Sequence, residues 1–129
     1  MAQRILAVDD DEDICRLVQF CLERVGYAVQ TAYNGREGLD LVAAERPDLI
    51  IADIMMPFMD GFEMVRRIKA DPNTEDIPII MLTARTGDTY VTEAWQQGVD
   101  LYLPKPFDPM ELLSFVHRLL PQSEVVSGV

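Results

Sequence analysis

Leu49-Ile50-Ile51-Ala52 runs without a polar interruption into Asp53, and Ile79-Ile80-Met81-Leu82 runs the same way into Thr83. A strand with one wet face alternates apolar and polar residues, so two unbroken apolar runs read as parallel strands covered on both faces by helices. Working outward, Arg4 to Val8, Tyr27 to Ala32 and Asp100 to Leu103 read as further strands. The stretch from about Asp11 to Val25 carries Ile14, Leu17, Val18, Cys21, Leu22 and Val25 on one helical face, and Gly26 supplies a left-handed cap after it. Asn34-Gly35 opens a second helix carrying Leu39 and Val42, which Pro47 keeps from continuing. Helices are also expected at about Gly61 to Ala70, Asp88 to Gln97 and Pro109 to Leu120. Five strand-helix pairs without an internal repeat predict an α/β, doubly wound (βα)5 three-layer sandwich with right-handed crossovers.

The chain has 129 residues, 49% of them hydrophobic, which is the size of one domain. That domain is expected over residues 1–120, with 121–129 a flexible tail or the start of a linker. Twenty-two acids against eleven Lys and Arg give a net charge of −11, which repels a phosphate backbone and argues against direct nucleic-acid binding. No apolar run approaches the roughly 20 residues of a membrane span, and the first residues lack a signal-peptide pattern, so a cytoplasmic protein is expected. Cys15 and Cys21 point about 120° apart on one helix and read as core packing. With His117 as the single histidine, a structural zinc site is excluded.

In open parallel sheets, ligands bind beyond the carboxyl ends of the strands, so the residues that end each strand decide the chemistry. The first strand ends in Asp9-Asp10, the third in Asp53 and the fourth in Thr83, while Lys105 follows the fifth. The second ends in Ala32-Tyr33, which suits a strand lying outside the first. Three carboxylates meeting within about 4 Å would repel by roughly 4 kcal/mol per pair at an effective dielectric of 20, and so call for a cation. Hard carboxylate oxygens with some waters suit Mg²⁺, whose octahedron is commonly completed by a phosphate. Asp11, Glu12 and Asp13 instead read as the acidic first turn of a helix, and Arg66, Arg67, Lys69 and the segment Asp71 to Pro78 as a surface helix end and loop without chemistry.

Val8-Asp9-Asp10, Asp53-Ile-Met-Met-Pro-Phe-Met-Asp60-Gly61, Leu82-Thr83-Ala84 and Lys105-Pro106-Phe107, in this order at successive strand ends, resemble a response-regulator receiver domain from about Ile5 to Leu120. The resemblance implies a flavodoxin-like parallel sheet of strand order 2-1-3-4-5. It implies phosphorylation of Asp53 by a histidine kinase or histidine phosphotransfer protein, as part of a two-component phosphorelay. Mg²⁺ would be bound directly by Asp10 and Asp53, largely through water by Asp9, and by the backbone carbonyl of Met55. Thr83 and Lys105 would hold the phosphoryl oxygens, with a cis Lys105-Pro106 bond aiming the lysine. Tyr102 matches the aromatic switch position that turns inward when Thr83 moves, against the simpler reading of an outward tyrosine on an edge strand. Tyr90 and Trp95 border the same face, as partner surface or as core. The resemblance also implies a downstream effector protein or fused output domain as reader, and permits homodimers through the last helices.

Met55 and Arg85 occupy the family positions that flank the path of hydrolytic water, and neither is a carboxylate or an amide. This pair is expected to shield an acyl phosphate and slow its hydrolysis. Met55 also argues against a turnover phosphatase of the haloacid-dehalogenase kind, in which a second acid stands two residues beyond the nucleophile and handles the proton. A flavin carrier of the same topology is disfavoured because Asp9-Asp10-Asp11 would repel a flavin phosphate. A receiver degenerate in its chemistry is opposed by the presence of all the expected site residues. The chain is therefore read as a self-phosphorylating regulatory domain rather than as an enzyme with turnover.

Overall fold

The computed structural model of the chain describes residues 2–83 and 98–120. Its strands are β1 (Arg4–Val8), β2 (Ala28–Ala32), β3 (Leu49–Asp53), β4 (Ile79–Thr83) and β5 (Leu101–Pro104), and its helices are α1 (Glu12–Glu23), α2 (Gly35–Ala44), α3 (Gly61–Lys69) and α4 (Pro109–Leu119). All strands pair in parallel in the order β2-β1-β3-β4-β5, as expected. The helix expected at 88–97 with Tyr90 and Trp95, together with Ala84, Arg85 and the tail from 121, lies outside the described residues.

Every residue of β3 and β4 is buried, which is what their unbroken apolar runs require. Alternate side chains feed two cores. Leu6, Val8, Ile50, Ala52, Ile79 and Met81 pack with Met64, Val65 and Ile68 of α3 and Val42 of α2. Ile5, Ala7, Leu49, Ile51, Ile80 and Leu82 pack with Val18 and Leu22 of α1 and Leu112 and Val116 of α4. The sheet margins are short: β5 has four residues and ends in Pro104, while β2 exposes Ala28 and Gln30.

Each helix opens on a side-chain cap. Asp11 accepts from the Asp13 N–H, Asn34 from Glu37 and Asp60 from Glu63, and Asp108 forms a capping box with Glu111. Such caps contribute roughly 0.5–2 kcal/mol each. They place acidic residues where the helix dipole favours them, in keeping with the acidic first turn expected at Asp11, Glu12 and Asp13.

Two expectations need correction. Val25 is not on the buried face of the first helix, because α1 ends at Glu23 and Val25 is 42% exposed. The Tyr27 N–H bonds Leu22 O at 3.1 Å and the Gly26 N–H bonds Glu23 O at 3.1 Å, with Gly26 at φ 101. This is a Schellman ending, which turns the chain so that Tyr27, ahead of β2, takes the core place beside Leu22. The segment from Asp71 to Pro78 is not all surface loop either. Thr74 is buried and donates its hydroxyl to Ile68 O at 2.7 Å, and Ile77 is buried in the α3-side core. Arg66 and Arg67 pair with Glu63 on the exposed side of α3, in keeping with a surface role.

Candidate functional site

Strand register assembles the site. Val8 stands beside Ala52, so Asp9, the next residue, lies beside Asp53. Thr83 ends β4 opposite Pro104, so Lys105 emerges beside it, and the Lys105 N–H bonds Thr83 O at 2.6 Å. Asp9 is held by its own N–H on Ala32 O (3.0 Å), and its Oδ1 accepts from the Asp11 N–H (2.9 Å).

Asp9 and Asp53 are 2% and 4% exposed, whereas Asp10 is exposed, and each offers a carboxylate oxygen within 4.8 Å of the others. The Lys105 ammonium lies 2.9 Å from Asp9 Oδ2 and 3.4 Å from Asp53 Oδ1. The Lys105-Pro106 peptide is cis, as the resemblance implied. Thr83 is fully buried and in hydrogen-bonding contact with the Tyr102 side chain. Tyr102 is partly buried and packs against the α3-side core.

Burial pushes the Asp53 carboxyl up to about 6; the neighbouring Asp9 charge adds to this and Lys105 opposes it. Burial raises Asp9 as well, against the pull of Lys105 and the Asp11 N–H. For Lys105, burial acts to lower the ammonium pKa, but Asp9 and Asp53 outweigh it and hold it above the ordinary lysine value. Three carboxylates against this one ammonium leave two formal negative charges at a partly buried site. Hard oxygen donors with that residual charge fit a divalent cation such as Mg²⁺, held by Asp9, Asp10 and Asp53.

The loop after β3 forms one wall. The Gly61 N–H closes it on Ile54 O at 2.8 Å, and a Cβ at Gly61 would collide with Asp53 O, so only glycine fits without displacing the strand end. Met59 seats on Gly35, where a Cβ would lie 2.8 Å from Met59 O. Met55, two residues beyond Asp53, is 52% exposed.

Asp9, Asp10, Asp53, Thr83 and Lys105 thus converge at one sheet edge, whereas Arg85, Tyr90 and Trp95 lie outside the described residues. Sequence reasoning read Cys15 as core packing, as found, but missed its contact with the site. Cys15 tucks its thiol under the Asp9 carbonyl at 3.4 Å, and burial followed by the Asp9 charge pushes it up to about 11, so it is an inert packing group. It also missed Phe58, whose φ is 70; the only hint in the sequence is the tight Pro57 to Gly61 stretch.

The chain matches the response regulator receiver domain family over residues 5–117. Among curated proteins it is 42% identical over 128 residues to response regulator MprA of Mycolicibacterium vanbaalenii, covering 99% of this chain and 54% of that protein. It is 43% identical over 121 residues to the DNA-binding dual master transcriptional regulator RpaA of Synechocystis, covering 94% of this chain and 50% of that protein. It therefore spans about half the length of these relatives. Among solved structures, the Vibrio cholerae chemotaxis protein CheY4 superposes with a TM-score of 0.89 at 38% identity, over 93% of this chain and 100% of that one. With the family matched across almost the whole sheet and the acidic site at its carboxyl edge, the chain belongs to the response-regulator receiver domains of two-component systems.

Proposed function

We propose that this receiver, over residues 1–120, takes a phosphoryl group from a phosphohistidine donor onto Asp53 and is switched by it. The donor is a histidine kinase or histidine phosphotransfer protein. The observation that carries the reading is the Asp53 carboxylate at the end of β3, beside Asp9 and Asp10, with the Lys105 ammonium reaching both Asp9 and Asp53.

An Asp53 oxygen forms the new P–O bond in line as the P–N bond to the donor imidazole breaks, and the electron pair leaves with the imidazole nitrogen. Asp9, Asp10, Asp53 and the Met55 carbonyl would hold Mg²⁺, which supplies charge neutralisation on the phosphoryl oxygens. Lys105 turns from its carboxylate partners to the transferred group, and the Thr83 hydroxyl donates to another of its oxygens. Drawing Thr83 toward the phosphoryl group alters its contact with Tyr102 and carries the change to β5. Met55 and Arg85 shield the acyl phosphate from water. The reader is an effector protein or a fused output domain, and the family resemblance permits homodimers; the receiver works in the cytoplasm and does not itself bind nucleic acid.

Incubation with acetyl phosphate and Mg²⁺ should phosphorylate the wild type and leave Asp53→Ala unmodified by intact mass. Equal modification of both chains would reject Asp53 as the acceptor.

A further inference from the structure

Phe58 is 95% exposed, and its backbone lies in the left-handed region at φ 70. The Met59 N–H bonds Pro57 O at 2.7 Å, so Phe58 is the centre of a three-residue γ-turn in its rare, positive-φ form. A bulky side chain is disfavoured there and glycine is not. Leaving the ring in water and bending its backbone this way are both unfavourable for the isolated molecule, and neither closes the loop. Closure comes from the Gly61 N–H on Ile54 O and from Met59 on Gly35. The ring is thus held out on a turn whose base is fixed, with the half-exposed Met55 in the same loop.

We propose that Phe58, with Met55, is the apolar anchor by which a protein phosphodonor docks over Asp53, entering an apolar pocket flanked by basic side chains on the donor. This rests on the reading of Asp53 as phosphoacceptor. The loop continues β3 directly past Asp53, so a macromolecule that brings a phosphohistidine to that carboxylate meets the loop as it arrives. The exposed Asp10, Asp11, Glu12, Asp13 and Asp60 make the neighbouring surface acidic, which complements a basic pocket rim and repels a second copy of this chain at −11. Met59 on Gly35 ties the loop to the β2 side of the sheet, away from Thr83 and Tyr102, where a reader of the switched state would bind. A rigidly presented aromatic loses little freedom on binding, which is the behaviour of an interface hot spot.

The test compares two donors on the full chain with Mg²⁺: phosphoramidate, which needs no docking, and the autophosphorylated cytoplasmic parts of the source organism's histidine kinases. For the kinase that labels the wild type fastest, the ratio of kinase-driven to phosphoramidate-driven labelling should fall at least tenfold in Phe58→Gly and further in Phe58→Asp. Phe58→Gly should melt at or above the wild-type temperature, because glycine accepts the turn. An unchanged ratio in Phe58→Gly overturns the proposal. So does a wild type labelled by phosphoramidate but by no phosphorylated kinase, and so does a held ratio with loss of a beryllofluoride-induced dimer, which would assign the ring to self-association. Failure of the Asp53 reading would look different, since phosphoramidate would then label Asp53→Ala as well as wild type.

Discussion

Aspartates stand at both ends of this sheet, and they do opposite things. At the amino ends, Asp48 Oδ2 accepts the Arg4 N–H at 2.7 Å and Asp100 Oδ2 accepts the Ile79 N–H at 2.8 Å, so each satisfies the first backbone donor of a strand. At the carboxyl ends, Asp9 and Asp53 face each other and Asp10 across less than 5 Å, with Lys105 as their shared counter-charge. The difference lies in what the fold offers the carboxylate. Where strands begin, free N–H groups point outward and a carboxylate is structural. Where strands end, carbonyls are left over, so acids gathered there keep an electrostatic demand that a bound cation or a neighbouring cation must meet.

The sharpest way to break that contrast is to remove the ammonium. Lys105→Met should slow phosphorylation of Asp53 by acetyl phosphate on the order of 10²-fold, the loss typical when one preorganised charge-stabilising donor is deleted. It should also lower metal-free stability by on the order of 2 kcal/mol, a discounted figure because the lysine side chain is 18% exposed. Timed labelling and urea melts check both numbers; wild-type labelling rates would mean that the lysine serves only the resting site.

Titration separates the two ends next. Asp53 has a carboxyl raised from 3.8 to about 6 in the folded chain, so the fold binds its proton more tightly than the unfolded chain does. Its contribution therefore favours folding below about pH 4 and is lost as pH rises through 6, a difference of roughly 3 kcal/mol when each tenfold gain in proton affinity is worth about 1.4 kcal/mol. Asp53→Asn should be more stable than wild type at pH 7, with the advantage shrinking toward pH 4 in denaturant melts read across pH. A constant difference over that range would remove Asp53 from the site's electrostatic demand.

The smallest effect belongs to the structural end. Asp48→Ala strips the Arg4 N–H of its acceptor and should cost about 1 kcal/mol, the scale of one such hydrogen bond, while leaving labelling of Asp53 as fast as in wild type. A loss of labelling would show that the two ends of the sheet are not independent.

Much of this is legible in the sequence. An unbroken Leu49 to Ala52 run has one physical use in a small α/β chain, and a parallel sheet delivers strand-ending residues to one edge whatever the details, which is why Asp9, Asp53, Thr83 and Lys105 group together without a structure. What periodicity does not carry is choice among near neighbours. Val25 and Tyr27 both suit a helical or strand core position, and the Schellman turn at Gly26 decides for Tyr27. Thr74 sits in a polar stretch, but its hydroxyl finds a buried carbonyl six residues away. The backbone sign at Phe58 and the double ion pair of Lys105 depend on loop closure and on distances between strand ends, neither of which leaves a pattern along the chain.

The brevity of the marginal strands has a consequence for the chain's behaviour among its own copies. β5 has four residues and closes on a proline that has no N–H to offer, while β2 at the other margin has only five. A fibril grows by adding strands in register to an open, hydrogen-bonding edge, and edges this short, on molecules that each carry −11, make poor templates for it. The same economy of edge that frames the site thus guards against misassembly at the concentrations a signalling protein can reach.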